Sequence, residues 1–449
     1  MHSGDMTSGN IITQLVYFAL PLLLGNLFQQ LYGAADAIVV GNFVSEGALA
    51  AVGASGPLIN LIISFAMGLF AGSGVVVARY FGARDRKNLH KAIHTTILLS
   101  IIMGVILTIV GMAVAEQLLK FIGAPPEIMK ESTQYLKIYL GGLASLCVYN
   151  AGASILNALG NSRLPLFFLI IACIIHIIGD LLFVLVFHWG VGGVAASTVI
   201  AETVTGILVL WALHKNKDEQ LLIFKDLRID FSILKEIIDI GLPSAIQGTI
   251  VSFSNTLVQS YFNGLGAISV AGYSASLKID AFAQLPVQTM ALAVATFVGQ
   301  NLGAGQVKRA RKGVSYSMII GVSVTIFLSV VNLIFGKQML RMFSPNEGVL
   351  NAGMQFLWVF SPVRFVLCCT QIIPGALRGA GKPKFPTYTC VFCFVILRQI
   401  YLYFVTKVNY SIITVALGYP LTWTVAAAAI FIYYLKSDWS SFEKGVVTQ

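Results

Sequence analysis

The sequence predicts an all-α membrane protein in which twelve transmembrane helices form two pseudo-symmetric six-helix bundles. Of the 449 residues, 57% are apolar and only 11% are charged, whereas a soluble domain carries about 25% charged residues. Apolar stretches of the length that crosses a bilayer, about 20 residues, recur along the whole chain. Motifs also repeat about 221 residues apart. This composition argues against a soluble enzyme, a disordered chain and a fibrous repeat.

The twelve spans are expected in two sets of six. In the first half they are residues 13–41, 48–78, 92–114, 132–158, 164–187 and 191–214. In the second half they are residues 236–262, 268–298, 313–336, 351–377, 385–406 and 412–435. The polar interval 215–235 is predicted to be a cytoplasmic linker between an N-terminal bundle, residues 1–214, and a C-terminal bundle, residues 236–449.

The distribution of basic residues predicts the orientation of these spans. Cytoplasmic loops of membrane proteins collect Lys and Arg. With a cytoplasmic N-terminus, 20 of the 29 basic residues lie in inner loops or the C-terminal tail, and six lie in outer loops. The other three, Lys278, Arg364 and Arg398, lie inside spans. Both termini are therefore expected in the cytoplasm, and the net charge of +10 indicates contact with anionic lipid headgroups and not with nucleic acid.

The two halves share five motifs in the same order. RYFGARDRKNLHKA at 79–92 matches QNLGAGQVKRARKG at 300–313, and LNALGNSRLP at 156–165 matches LRGAGKPKFP at 377–386. Because each copy has an even number of spans, both enter the membrane in the same direction. Such parallel repeats are typical of transporters that expose a central cleft to each side of the membrane in turn.

The sequence gives no sign of a cofactor or a metal site. All six cysteines fall in apolar stretches, which predicts packing and no disulfides. Cys390 and Cys393 form a CxxC, but without a second pair of ligands a zinc site is not expected. Nucleotide-binding and nucleophile motifs are also missing from the sequence, so ATP-driven transport is not expected.

The motif order resembles the multidrug and toxic compound extrusion (MATE) family. The pieces that carry the resemblance are ADAIVVGNFVSEGALAAVGAS (35–55), VARYFGARDRKNLHKA (77–92), ILNALGNSRLP (155–165), GDLLFVLVFHWGVGGVAAST (179–198), VGQNLGAGQ (298–306) and GALRGAGKPKFP (375–386). The resemblance implies an antiporter, not an enzyme, that expels small organic, often cationic, compounds with an inward H+ or Na+ gradient. A monomer in the cell membrane, surrounded by lipid, is expected.

Ionisable side chains inside spans are costly and are therefore functional candidates. At 1.5 Å of rise per residue, Asp36, Asp180 and Thr198 are each about 8–10 Å from the outer end of their spans. His176 and Glu202 lie one helical turn deeper, on the same faces as Asp180 and Thr198. We expect one polar cluster of these five residues, which carries a proton between close carboxylates or offers oxygen ligands to a bare cation.

The resemblance implies the same location. In one prokaryotic branch of the family, the positions that match Asp36, Asp180 and Thr198 form a cation site in the N-terminal half. That branch usually has Asn where this chain has His176, and this departure favours H+ over Na+ because histidine titrates near neutral pH. The alternative is that His176 and Glu202 pair and only hold the bundle together.

The C-terminal half is expected to differ. Asp280 and Arg364 lie at equal depth, about 18–20 Å into their spans at 1.5 Å per residue, and Lys278 nearby is expected to be a third buried charge. A fixed Asp280–Arg364 ion pair is predicted, with substrate binding as the alternative, and a cation site in this half is not expected. A largely apolar cleft with few polar points would take the substrate. The polar candidates for this cleft are Gln29, Gln30, Tyr32, Asn150, Asn157, Gln259 and Tyr273.

Two other functions stay open at this stage. A flippase for lipid-linked sugars would have a related fold, but it would favour a strongly cationic cavity and additional C-terminal spans. An intramembrane enzyme would use His176, Glu202 and Asp180, but it would not need a matched second half. The repeat therefore favours transport.

Overall fold

The computed structural model describes residues 4–215 and 221–439, which are mostly helical. Within these ranges, ten helices are long and apolar enough to cross a membrane. Two further helix pairs, bent by 46° and 55° at short breaks, bring the number to twelve if each pair is one span. The predicted all-helical architecture is confirmed.

Each span of the first half begins in the structure close to the start that the sequence predicts for it. Its helices are α1 (Ile11–Phe43), α2 (Glu46–Gly82), α3 (Arg86–Phe121), α4 (Met129–Gly141), α5 (Leu143–Ala158), α6 (Arg163–Leu181) and α7 (Gly190–Lys215). The π-helical segment Leu182–Val186 continues α6. Polar side chains mark the helix starts, since Ser45 accepts a hydrogen bond from the Ala48 N–H and Asp85 accepts one from the Asn88 N–H.

The second half follows the same order of helices. They are α8 (Phe231–Asn263), α9 (Ala267–Gly303), α10 (Val307–Arg341), α11 (Glu347–Phe360), α12 (Val366–Gly379), α13 (Lys384–Cys390), α14 (Arg398–Val408) and α15 (Ile412–Lys436). The 3-10 turn Ser361–Val363 ends α11, and the π-helical segment Val391–Leu397 joins α13 to α14. The predicted span 385–406 therefore consists of α13, this segment and most of α14.

The chain forms two compact units. One comprises Met1–Asp5 and Leu20–Gly241, and the other comprises Met6–Ala19 and Leu242–Gln449. The bundle limits expected from sequence stay a prediction, and residues 216–220 of the expected linker lie outside the described residues. The described part of the linker is fixed to α3, because the Ile223 N–H donates to His94 Nε2 at 3.0 Å.

Small residues allow helices to pack closely, and the turns between helices repeat in the two halves. A Cβ on Gly104 of α3 would lie 2.5 Å from the Cα of Ala144 on α5, so this glycine permits close helix contact. The repeat is visible in the turns, where Gly160 and Gly381, 221 positions apart, have φ values of 78° and 69°. Left-handed backbone of this kind favours glycine, which explains why both copies of the motif keep a glycine there.

Candidate functional site

Four of the predicted site residues meet inside the first unit. Asp36 comes from α1, His176 and Asp180 come from α6, and Thr198 comes from α7. His176 Nε2 lies 2.9 Å from Asp36 Oδ1 and 3.2 Å from Thr198 Oγ1, and His176 Nδ1 lies 3.7 Å from Asp180 Oδ2. The side chains of His176 and Asp180 are fully buried, and that of Asp36 is 11% exposed. We call these four residues the N-half cluster.

Helical spacing positions the N-half cluster. His176 and Asp180 are four residues apart and therefore share one face of α6. On α7, the Thr198 hydroxyl donates to the Val194 carbonyl at 3.1 Å. The neighbouring Ser197 hydroxyl donates to Asp180 Oδ1. Both oxygens of Asp180 therefore have a polar neighbour, one on its own helix and one on α7.

Glu202 lies beside the cluster, one turn along α7 from Thr198, and it is half-buried. Tyr139 of α4 hydrogen-bonds to Glu202, and Tyr135, one turn earlier, hydrogen-bonds to Asp36. Sequence reasoning missed both tyrosines and also Ser197. The available signal was that Tyr135 and Tyr139 are four residues apart. The pairs His176 and Asp180, and Thr198 and Glu202, have the same spacing.

The arrangement can hold one small positive charge. The ligand atoms of Asp36, His176 and Asp180 all lie within 4.8 Å of one another. Both ring nitrogens of His176 face carboxylate oxygens. A neutral imidazole carries one N–H group and an imidazolium carries two, so only the protonated ring offers a donor to each carboxylate.

The predicted ion pair of the second unit is present. Arg364 Nη2 donates to Asp280 Oδ1, and Gln284 Nε2 donates to the other carboxylate oxygen. Asp280 and Arg364 are both buried, whereas Lys278 is exposed and its ammonium lies 5.4 Å from the ring centroid of Phe343. The prediction that Lys278 is a buried charge is wrong, because residues two apart on a helix do not share a face.

Arg398 is a buried charge to which sequence reasoning gave no role. It begins α14 and is 2% exposed. Its guanidinium donates to Thr422 Oγ1 at 2.9 Å and lies 4.4 Å from the ring centroid of Tyr419. The only signal in the sequence was a basic residue inside a span, since partners from other helices cannot be read from spacing.

The cleft candidates lie in varied surroundings, and their contact with substrate stays a prediction. Gln29 and Gln30 are exposed, and Asn157 is half-buried. Asn150 donates to the Leu146 carbonyl at 2.9 Å, and Gln259 donates to Asn263 at 2.9 Å. Tyr273 is 1% exposed, and its hydroxyl lies 3.0 Å from that of Tyr419. The side chain of Tyr32 lies outside the described residues.

The helical fold with buried charges inside its spans is that of a multi-pass membrane transporter. Residues 21–182 and 243–404 each match the model of the MatE family, and the chain therefore belongs to this family. The two matched segments have equal length and start 222 residues apart, in agreement with the repeat. Family membership confirms the expectation of a transporter and excludes the intramembrane enzyme.

Curated relatives and solved structures agree with this assignment. The chain is 26% identical over 428 residues to the probable multidrug resistance protein YoeA of Bacillus subtilis, covering 93% of this chain and 92% of YoeA. It is 27% identical over 452 residues to YpnP of the same organism, also a probable multidrug resistance protein, covering 99% of both chains. A MOP superfamily transporter from Pyrococcus furiosus, at 22% identity and 99% coverage of both chains, shares the fold with a TM-score of 0.90.

Proposed function

We propose that this transporter exports organic, often cationic, drugs from the cell by antiport against H+. The relatives named as multidrug resistance proteins support the drug substrates. The position of His176 between two carboxylates, at 2.9 Å from Asp36 and 3.7 Å from Asp180, carries the proposal for H+. Transport proceeds by alternating access between two membrane faces, as in other transporters built from repeated bundles.

The coupling follows from competition for the same negative charge. When His176 is protonated, the imidazolium offsets the charge of one carboxylate, donates to Asp36 at 2.9 Å and faces Asp180 at 3.7 Å. When the proton leaves, the carboxylates of Asp36 and Asp180 attract an organic cation more strongly, because charges interact strongly where water is excluded. Binding of the proton therefore weakens binding of a cationic drug, and binding of the drug weakens binding of the proton. Antiport requires this mutual exclusion.

H+ fits the N-half cluster better than Na+ does. Na+ is a hard cation, and cations of this kind prefer oxygen ligands over imidazole nitrogen. His176 lies between the two carboxylates, and Thr198 Oγ1 already contacts its Nε2 at 3.2 Å. A bare cation would have to displace the imidazole to reach the oxygens of Asp36, Asp180 and Thr198 together. A proton needs no such rearrangement.

The second unit does not take part in ion coupling in this proposal. Asp280 is bound to Arg364, whose guanidinium keeps its charge at all physiological pH values. We further propose that the protein works as a monomer with both termini in the cytoplasm. Large apolar side chains such as Ile319, Phe327 and Ile334 are exposed along α10, and these are the side chains expected to contact lipid.

The test is ethidium transport in proteoliposomes under two separately imposed gradients. A pH gradient without Na+ is expected to drive ethidium movement, and a Na+ gradient at equal pH on both sides is not. Movement that requires Na+ and ignores pH would replace H+ with Na+ in the proposal. Movement driven by neither gradient would reject cation-coupled antiport.

A further inference from the structure

The second unit contains a group of buried charges that H+ coupling does not use. Asp280, Arg364 and Arg398 are 1%, 0% and 2% exposed, and they are the buried charged side chains in the described part of this unit. Both guanidinium groups are permanently charged. One carboxylate against two guanidiniums gives this set of three residues, the C-half cationic group, a formal charge of +1.

Arg364 has hydrogen-bond donors that the chain does not use. Its Nη2 donates to Asp280, but its Nε and Nη1 are buried without a hydrogen-bond partner. Leaving a charged donor buried and unpaired costs more than leaving a neutral one. Arg364 also lies where α11 gives way to α12, at the break with a bend of 55°. The unused donors indicate an acceptor that binds there from outside the chain.

Arg398 supplies charge that its hydrogen-bond partners do not neutralise. These partners are Thr422 Oγ1 at 2.9 Å, Ser254 Oγ at 3.3 Å and Asn255 Oδ1 at 3.4 Å. Hydroxyl and amide oxygens orient a guanidinium but carry no net charge. The positive charge of Arg398 therefore remains available to an anion.

Aromatic rings lie near both Arg398 and Asp280, the carboxylate partner of Arg364. The hydroxyls of Tyr273 and Tyr419 lie 3.0 Å apart, and both tyrosines are close enough to Asp280 and Arg398 to interact with them electrostatically. Further rings pack against these tyrosines or against one another, namely Phe262, Phe356, Phe360 and Trp423. Flat aromatic side chains are suited to contact with aromatic ligands.

We propose that the C-half cationic group binds the carboxylate of an aromatic organic acid. Arg364 donates hydrogen bonds to the carboxylate, Arg398 provides the balancing charge, and the aromatic rings pack against the ligand. The substrate class then includes anionic and zwitterionic aromatic compounds as well as cations, an inference that rests on the proposed export function. Because the group is buried, the ligand reaches it through the conformational change of the transport cycle.

The experiment measures binding of 2-naphthoate and its neutral isostere 2-naphthamide to the purified full-length transporter by calorimetry in uncharged detergent. Wild-type protein is expected to bind naphthoate about tenfold more tightly, because charge-assisted hydrogen bonds are roughly twice as strong as neutral ones. The double variant Asp280→Asn/Arg364→Gln removes the donors without leaving a bare carboxylate, and Arg398→Gln removes the excess charge. Each is expected to lose most of the preference for naphthoate. Lys278→Gln, which removes an exposed cation from the same helix as Asp280, is expected to keep it.

Three results would overturn the proposal. They are equal affinity for the two ligands, a naphthoate preference that survives in both arginine variants, and binding of chloride at the arginines without binding of naphthoate. The measurement needs no ion gradient. A failure of H+ antiport would therefore leave the binding result unchanged, and a failure of naphthoate binding would leave the antiport result unchanged.

Discussion

The two halves of the chain place different chemistry on equivalent helices. Thr198 and Tyr419 are 221 positions apart, and so are the turn glycines Gly160 and Gly381. Arg398 lies 222 positions after His176, one more than this offset, and it directly follows the π-helical segment Val391–Leu397. In the first half His176 contacts Thr198, and in the second half Arg398 contacts Tyr419.

The presence of histidine in one half and arginine in the other changes the chemistry that is available to each half. Histidine gains and loses a proton near neutral pH, whereas arginine does not. The first half adds the carboxylates of Asp36 and Asp180 around its histidine, and the second half adds Arg364 and one carboxylate. Two copies of one fold therefore hold different charges, with two carboxylates around a histidine in one half and two arginines with one carboxylate in the other, because the fold does not determine the chemistry of a site.

The largest effect is expected from removing the carboxylates of the first half. Asp36→Asn and Asp180→Asn should each reduce pH-driven ethidium transport to background, because an amide cannot exchange a proton. The measurement is transport in proteoliposomes, with circular dichroism to verify the fold. Glu127→Gln, which removes an exposed carboxylate, is the matched control. Full transport by both Asp variants would show that the two halves do not differ in coupling.

The next effect concerns His176 itself. His176→Asn keeps a polar side chain but removes the ring that faces both carboxylates, so transport should lose most of its response to an imposed pH gradient. His188→Asn is the control, since His188 is exposed and has a φ of 55°, a conformation that asparagine tolerates well. An unchanged response to the pH gradient in His176→Asn would remove this residue from the coupling site.

A smaller effect, on stability, tests the second half. Arg364→Gln leaves Asp280 buried without its partner and should lower the free energy of unfolding by about 3–5 kcal/mol. The double variant Asp280→Asn/Arg364→Gln should cost clearly less, because no unpaired charge remains. Thermal unfolding in detergent measures both. Equal costs for the single and the double variant would argue that the ion pair is not what stabilises this half.

The smallest effect lies outside the membrane, where Lys91 Nζ is 2.8 Å from Asp230 Oδ2. The hydrogen bond from Lys91, together with backbone N–H groups, lowers the pKa of Asp230. Its contribution is therefore present above the unfolded pKa of about 3.9 and is lost as the pH falls through the lowered folded value. Asp230→Asn should cost less than about 1 kcal/mol at pH 7, because the pair is partly exposed. A cost that does not shrink on acidification would contradict this explanation.

The sequence predicted the spans, the members of the N-half cluster and the Asp280–Arg364 pair, but not most of the other contacts between helices. Hydrophobic length alone placed the helices, and the four-residue spacing placed His176 beside Asp180. The contact of Asp36 with His176 depends on how α1 packs against α6, which no local pattern encodes. The hydrogen bond of Tyr135 and the partners of Arg398 could not be predicted for the same reason, because they also join different helices. The exposure of Lys278, in contrast, was available from its spacing to Asp280.

Proton release on drug binding tests the central claim most directly. Tetraphenylphosphonium, a permanent organic cation, is added to the purified transporter in weakly buffered detergent solution, and the pH is recorded. If the drug and the proton compete for the N-half cluster, wild-type protein releases protons on binding and Asp180→Asn releases fewer or none. Tetraphenylphosphonium binding with no proton release from the wild-type protein would contradict H+-coupled exchange at this cluster.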